Sequence, residues 1–129
     1  MMGSSSITRP VELSKQPAAA RRELTRLLAE ERWNGDVDGV ILAVHEAMVN
    51  SQRHGGGVTG ARVRMGFDTV VVVVEITDQG GGFAVPETPA MAEATAEQGR
   101  GLFLIRSLTA EAQVVQAGSE VCLTLRFER

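Results

Sequence analysis

A chain of 129 residues is the size of one domain and long enough to enclose a single hydrophobic core. With 43% hydrophobic and 22% charged residues it is a folded globular chain rather than a disordered one. A formal net charge of -3, from 13 basic and 16 acidic residues, argues against the basic face that non-specific nucleic-acid binding requires, so no direct nucleic-acid contact is expected.

The single cysteine, Cys122, cannot form an intrachain disulfide. Set among alternating apolar residues, it reads as a small buried hydrophobe. No stretch reaches the roughly 20 apolar residues of a membrane span. The valine run from Val70 to Val74 is too short and too β-branched to be one. Residues Met1 to Ser6 lack the basic and apolar regions of a signal peptide and read as a flexible end. Residues 7–129 are expected to form the one domain, in the cytoplasm and without a membrane partner.

In chain order, Ile7 to Leu13 mixes β-formers with Pro10 and suits a short edge strand. Gln16 to Trp33 reads as a helix with Pro17 in its first turn, a stripe of Leu24, Leu27 and Leu28 joined by Ala20 and Trp33, and a stop at Asn34-Gly35. Asp36 is placed to cap a second helix that runs to about His54, with Val37, Val40, Ile41, Val44 and Met48 on one face. Ala61 to Phe67 alternates as a half-buried strand does, and Asp68-Thr69 suits a hairpin turn. Thr69 to Thr77 is nearly all β-branched, which predicts a central strand buried on both faces. A loop over 84–98, a third helix over Gly101 to Thr109, and strands over Glu111–Gln116 and Val121–Phe127 with a Gly118-Ser119 turn complete the chain. The order β-α-α-β-β-loop-α-β-β predicts an α+β, two-layer α/β sandwich. Its sheet is mixed and mainly antiparallel, with the helices on one face.

Three motifs carry chemistry. Glu46, Asn50 and His54 recur every four residues and share a face of the second helix, away from its apolar stripe. An Asn oxygen suits Mg²⁺, and a Glu one turn away suits proton abstraction from a hydroxyl. Asp78-Gln79-Gly80-Gly81-Gly82-Phe83 follows the valine strand, where a carboxylate can accept from an adenine amino group and glycines admit a ligand close to the backbone. Gly99-Arg100-Gly101-Leu102 opens the third helix, whose N-terminal N–H groups and dipole suit phosphate, with Arg100 as a charged donor. Singly, each also fits a bland reading: a polar helix face, a Gly-rich turn, a helix start.

Together and in this order, the motifs resemble the N, G1 and G2 boxes of the GHKL ATPases, the histidine-kinase-like superfamily, with 84–98 as the ATP lid. The pattern E-A-x-x-N at Glu46 to Asn50, then G-R-G-L-x-L-I-x-x-L from Gly99 to Leu108, in a short single-domain chain, is similar to the anti-sigma-factor serine/threonine kinases. The resemblance implies Mg-ATP binding, phosphorylation of a serine on an anti-anti-sigma protein of the STAS fold, sequestration of a sigma factor, and a homodimer. Residue by residue, it implies Glu46 as general base and Asn50 as Mg²⁺ ligand. Asp78 would read adenine, with Gly80, Gly82 and Phe83 around the base and ribose. Gly99, Arg100, Gly101 and Leu102 would lie at the phosphates, with His54 near phosphate or ribose. The lid departs from the family pattern, because 84–98 holds no Lys or Arg but carries Glu87, Glu93 and Glu97. That departure keeps open one alternative, a nucleotide-binding partner-switching module with little or no kinase activity; a detached sensor-kinase ATPase domain is a further alternative.

Overall fold

The computed structural model describes residues 10–54, 56–65, 71–79 and 104–129. The elements are β1 (Val11–Glu12), α1 (Pro17–Glu30), α2 (Val37–His54), β2 (Val58–Met65), β3 (Val71–Asp78), β4 (Glu111–Ala117) and β5 (Glu120–Glu128), with a helical stretch over 104–108. The strands form one five-stranded sheet in the order β1-β2-β3-β5-β4. Every pairing among the described strands is antiparallel. This is the expected α+β architecture, with β1 as a short edge and β3 at the centre.

Register explains where the core sits. Ala61, Ile76 and Leu123 lie side by side across β2, β3 and β5; so do Val63, Val74 and Leu125, and then Met65, Val72 and Phe127. All nine are buried and face one way, as the period of two requires. Ala20, Leu24 and Leu28 of α1 and Val40, Ala43, Val44, Ala47 and Met48 of α2 complete the same core, together with Leu13, Trp33 and Ile105. Trp33, Met48 and Met65 are therefore packing residues, while Arg21, Arg22 and Arg26 form a solvated helix face.

β3 departs from the sequence expectation in one respect. Its burial alternates, so Val71, Val73, Glu75 and Thr77 are only half-buried on the far face of the sheet. Val73 lies between Arg64 and Arg126, whose methylene stems suffice to shade a valine without a second layer. Glu75 accepts from Arg62 Nε at 2.7 Å and Arg64 Nη2 at 3.2 Å on that face. Cys122, opposite Thr77, is on this face too and is half-buried rather than in the core.

α1 also ends differently from the expectation. The stop is Arg32, in the left-handed conformation at φ 58°, and not Asn34-Gly35. Arg32 N–H donates to Ala29 O at 3.1 Å and Trp33 N–H to Leu28 O at 2.9 Å, the paired bonds that satisfy a helix's last carbonyls. Trp33 then folds back into the core, and Gly35 packs so close to its indole that a Cβ there would overlap the ring. At the start of α2, Asp36 Oδ1 accepts from Gly39 N–H at 2.9 Å, as a capping residue should. The β4–β5 turn runs through Gly118 at φ +64°, while the Asp68-Thr69 turn lies outside the described residues.

A non-glycine residue in the left-handed region is disfavoured, by roughly 1–2 kcal/mol per residue, and glycine is not. Arg32→Gly should therefore raise stability by about 0.5–1 kcal/mol, after allowing for glycine's greater freedom in the unfolded chain. Urea unfolding should show a higher midpoint at an unchanged slope.

Candidate functional site

The site is built where α2 ends over the end of β3. Residues 37, 40, 44, 47 and 51 follow one another at helical spacing, so Ser51 continues the core stripe of α2. It is fully buried. A hydroxyl there needs a partner, and it has one: Ser51 Oγ donates to Asp78 Oδ2. Asp78 closes β3 and is itself fully buried. Its other oxygen, Oδ1, accepts from the backbone N–H of Gly56 at 3.1 Å, just beyond α2. The carboxyl group is thus held from two sides by the end of one helix.

The strand pairing beside it is irregular. Asp78 faces Val58 and Thr77 faces Gly60, so Thr59 is an extra residue between two pairs. A bulge of this kind breaks the ladder and increases local twist, and such breaks cluster at sites.

Asn50 precedes Ser51 and is 6% exposed. Its Nδ2 is buried without a hydrogen-bond partner among the described residues. An orphaned buried amide costs about 1–3 kcal/mol, which a bound group at this position would recover. Turning the amide over exchanges its oxygen and nitrogen with no change of shape. Glu46 lies one turn earlier on the same side of the helix and is half-buried. The spacing predicts a Glu46–Asn50 face away from the apolar stripe; in the structure Glu46 is half-buried and Asn50 is buried. Ala43 and Ala47 are buried with no exposure. Two such small side chains let α2 sit low on the sheet and bring Asn50 under cover.

His54 is the last residue of α2. Gly80, Gly82, Phe83, Gly99, Arg100, Gly101 and Leu102 lie outside the described residues, as does the lid. The helix that follows them is present over 104–108, with Ile105 buried and Thr109 Oγ1 donating to Ile105 O at 2.9 Å. Ser51 was the residue that sequence reasoning missed. The signal was available as a lone hydroxyl on the core stripe.

Among the described residues no three His, Cys, Asp or Glu side chains cluster as a metal cage. A cation here would draw most of its ligands from water and phosphate, which is the habit of Mg²⁺, and the donor at hand is the Asn50 amide. No helix among the described residues is long and apolar enough to cross a membrane.

Residues 10–127 match the family described as histidine kinase-like ATPase domain. The chain belongs to this family. Among solved structures it is similar to that of the RsbU and RsbW domains of Rv1364c from Mycobacterium tuberculosis, at 19% identity and a TM-score of 0.64, over 94% of this chain. This chain spans 32% of the length of that one. At such low identity the likeness concerns the fold, which is the ATPase-domain sandwich described above. No curated protein matches the chain.

Ser51→Ala would strip the Asp78 carboxyl of a buried donor inside the protein. It should cost about 1–3 kcal/mol, the price of a buried polar group deprived of its partner. Denaturation without nucleotide measures it, and Ser51→Thr should restore part of the loss.

Proposed function

We propose that this chain binds Mg-ATP at the end of β3, phosphorylates a serine of an anti-anti-sigma protein of the STAS fold, and holds a sigma factor inactive. The observation that carries the reading is the buried Asp78 carboxyl, oriented by Ser51 and Gly56, with the orphaned amide of Asn50 one residue before Ser51 on the same helix. A fixed acceptor at a strand end suits the exocyclic amino group of adenine. Asn50 would ligate Mg²⁺, which neutralises charge on the phosphates when bound. Gly80, Gly82 and Phe83 would border the base and ribose. Gly99, Arg100, Gly101 and Leu102 would border the phosphates at a helix start, with His54 near them.

Glu46 is the base in this scheme. Its carboxylate takes the proton of the substrate serine as the serine oxygen bonds to the γ-phosphorus and the bond to ADP breaks. Such a transfer depends mainly on positioning and charge neutralisation, so a short set of residues suffices. The narrower kinase reading is supported by the E-A-x-x-N and G-R-G-L-x-L-I-x-x-L patterns.

A second reading is favoured by one feature. The segment 84–98 carries Glu87, Glu93 and Glu97 and no Lys or Arg. A positive group lost from a transferring phosphoryl slows the chemistry severely. On this reading the chain is a nucleotide-binding partner-switching module with little or no transfer activity.

Thermal unfolding with Mg-ATP at about 100 times Kd should gain roughly 2.7 kcal/mol, on the order of 10 °C in Tm. Asp78→Ala should remove that gain. Glu46→Gln should keep it and abolish formation of phosphoserine on a STAS protein. Transfer by Glu46→Gln at the wild-type rate would refute the base assignment. Wild-type protein that binds ATP yet transfers nothing would favour the second reading.

A further inference from the structure

The short connection from α2 to β2 bears directly on the Asp78 carboxyl. α2 ends at His54 and β2 begins at Val58, which leaves three residues between them. Val58 is also the residue of β2 that pairs with Asp78. The chain must therefore leave the helix and enter the sheet opposite Asp78 within a few bonds. Gly57 makes this possible in the left-handed region, at φ 90°.

The hydrogen bonds around Gly57 close a ring. Gly57 N–H donates to Ser51 O at 3.3 Å and satisfies one of the carbonyls that a helix end leaves free. The hydroxyl of the same Ser51 donates to Asp78 Oδ2. Gly56 N–H donates to Asp78 Oδ1 at 3.1 Å. With Val58 fixed by the sheet, the φ of Gly57 decides where the peptide groups before it point. At a negative φ the same strand would carry the N–H groups of Gly56 and Gly57 away from Asp78 and Ser51.

A Cβ at position 57 would meet nothing within 4 Å among the described residues. The demand for glycine here is thus conformational and not steric. Asparagine is tolerated at such a positive φ, alanine less so, and a β-branched residue least of all.

We propose that Gly57 is the positioning residue of the Asp78 carboxyl: its left-handed backbone turns the Gly56 N–H onto Oδ1 and so fixes how the carboxyl faces the base. It acts through Gly56 and Asp78 rather than by contact with nucleotide. Its place in adenine recognition rests on the function proposed above, whereas the ring is a property of the protein without ligand.

The first readout therefore needs no nucleotide. In the full chain the Gly56 amide should be protected from exchange with solvent. Gly57→Val should speed that exchange by roughly tenfold or more, and Gly57→Asn should leave it close to wild type. The second readout is calorimetric binding of Mg-ATP and Mg-ITP. Gly57→Val should narrow the preference for ATP by about tenfold or more, because a reoriented carboxyl no longer meets the amino group squarely, and Gly57→Asn should hold it. The free space at position 57 predicts that the variants fold, which circular dichroism checks; Gly57→Ala takes the place of the valine variant should that one unfold. An unprotected Gly56 amide in wild-type protein would overturn the inference, as would exchange that Gly57→Val leaves unchanged. So would a valine variant that weakens both nucleotides equally, because that is the mark of a helix stop with no hold on the carboxyl. Wild-type protein with a protected Gly56 amide and no preference for ATP would count against the adenine reading of Asp78 and not against the hold of Gly57 upon it.

Discussion

A carboxyl group fully removed from water must be satisfied by the protein around it, and the arrangement at Asp78 depends on that requirement. It closes the central strand, and its two oxygens are met by a helix hydroxyl and by the backbone just past that helix. Those two donors come from the same stretch of chain, Ser51 to Gly56, so the end of α2 is locked to the end of β3. Helix layer and sheet layer are joined by apolar contact along most of their length and by this polar tie at one end. The tie also aims a fixed acceptor, while Glu46 and Asn50 follow at the spacing of one turn along the same helix.

The rest of the sandwich keeps that tie in place. Three cross-strand rows of buried aliphatic residues give the sheet one apolar face, and α1 and α2 cover it. Ala43 and Ala47 are small where α2 comes down on the sheet, and this close approach brings Ser51 within reach of Asp78. On the far face the charged pairs Arg62–Glu75 and Arg64–Glu75 lie across β2 and β3. They are partly exposed, so they contribute little to stability on their own. Their aliphatic stems shade the valines beside them.

Much of this was legible before any coordinates. The Asp36 cap, the stripe of Leu24 and Leu28, the alternation of Val63 and Met65, and the central place of the valine strand all follow from local periodicity. What was not legible depended on tertiary geometry. The valine run implied two buried faces, yet arginine stems replaced a second layer over Val73. Asn34-Gly35 looked like a helix stop, but Arg32 ends the helix because Trp33 must turn into the core, and that pull outweighs the cost of an unfavoured backbone. The stripe of Val37, Val40, Ile41, Val44 and Met48 places Asn50 off the core, but Ala43 and Ala47, which that stripe omits, are fully buried too, so the buried face of α2 is wider than its large apolar residues suggest. Ser51 was overlooked because a single serine at a helix end is ordinary until its position on the buried stripe is counted.

The central claim is that Asp78, fixed by Ser51 and Gly56, reads the amino group of adenine. The direct measurement is calorimetric binding of Mg-ATP against Mg-ITP, which differ where adenine carries its amino group and hypoxanthine carries a carbonyl. A site built around a buried acceptor should reject the carbonyl strongly, so ATP should bind at least roughly a hundredfold tighter. Asp78→Asn, which can offer an amide N–H to the carbonyl, should narrow that gap. Equal affinity of wild-type protein for the two nucleotides would contradict the account, because the carboxyl at the end of β3 would then have no part in reading the base.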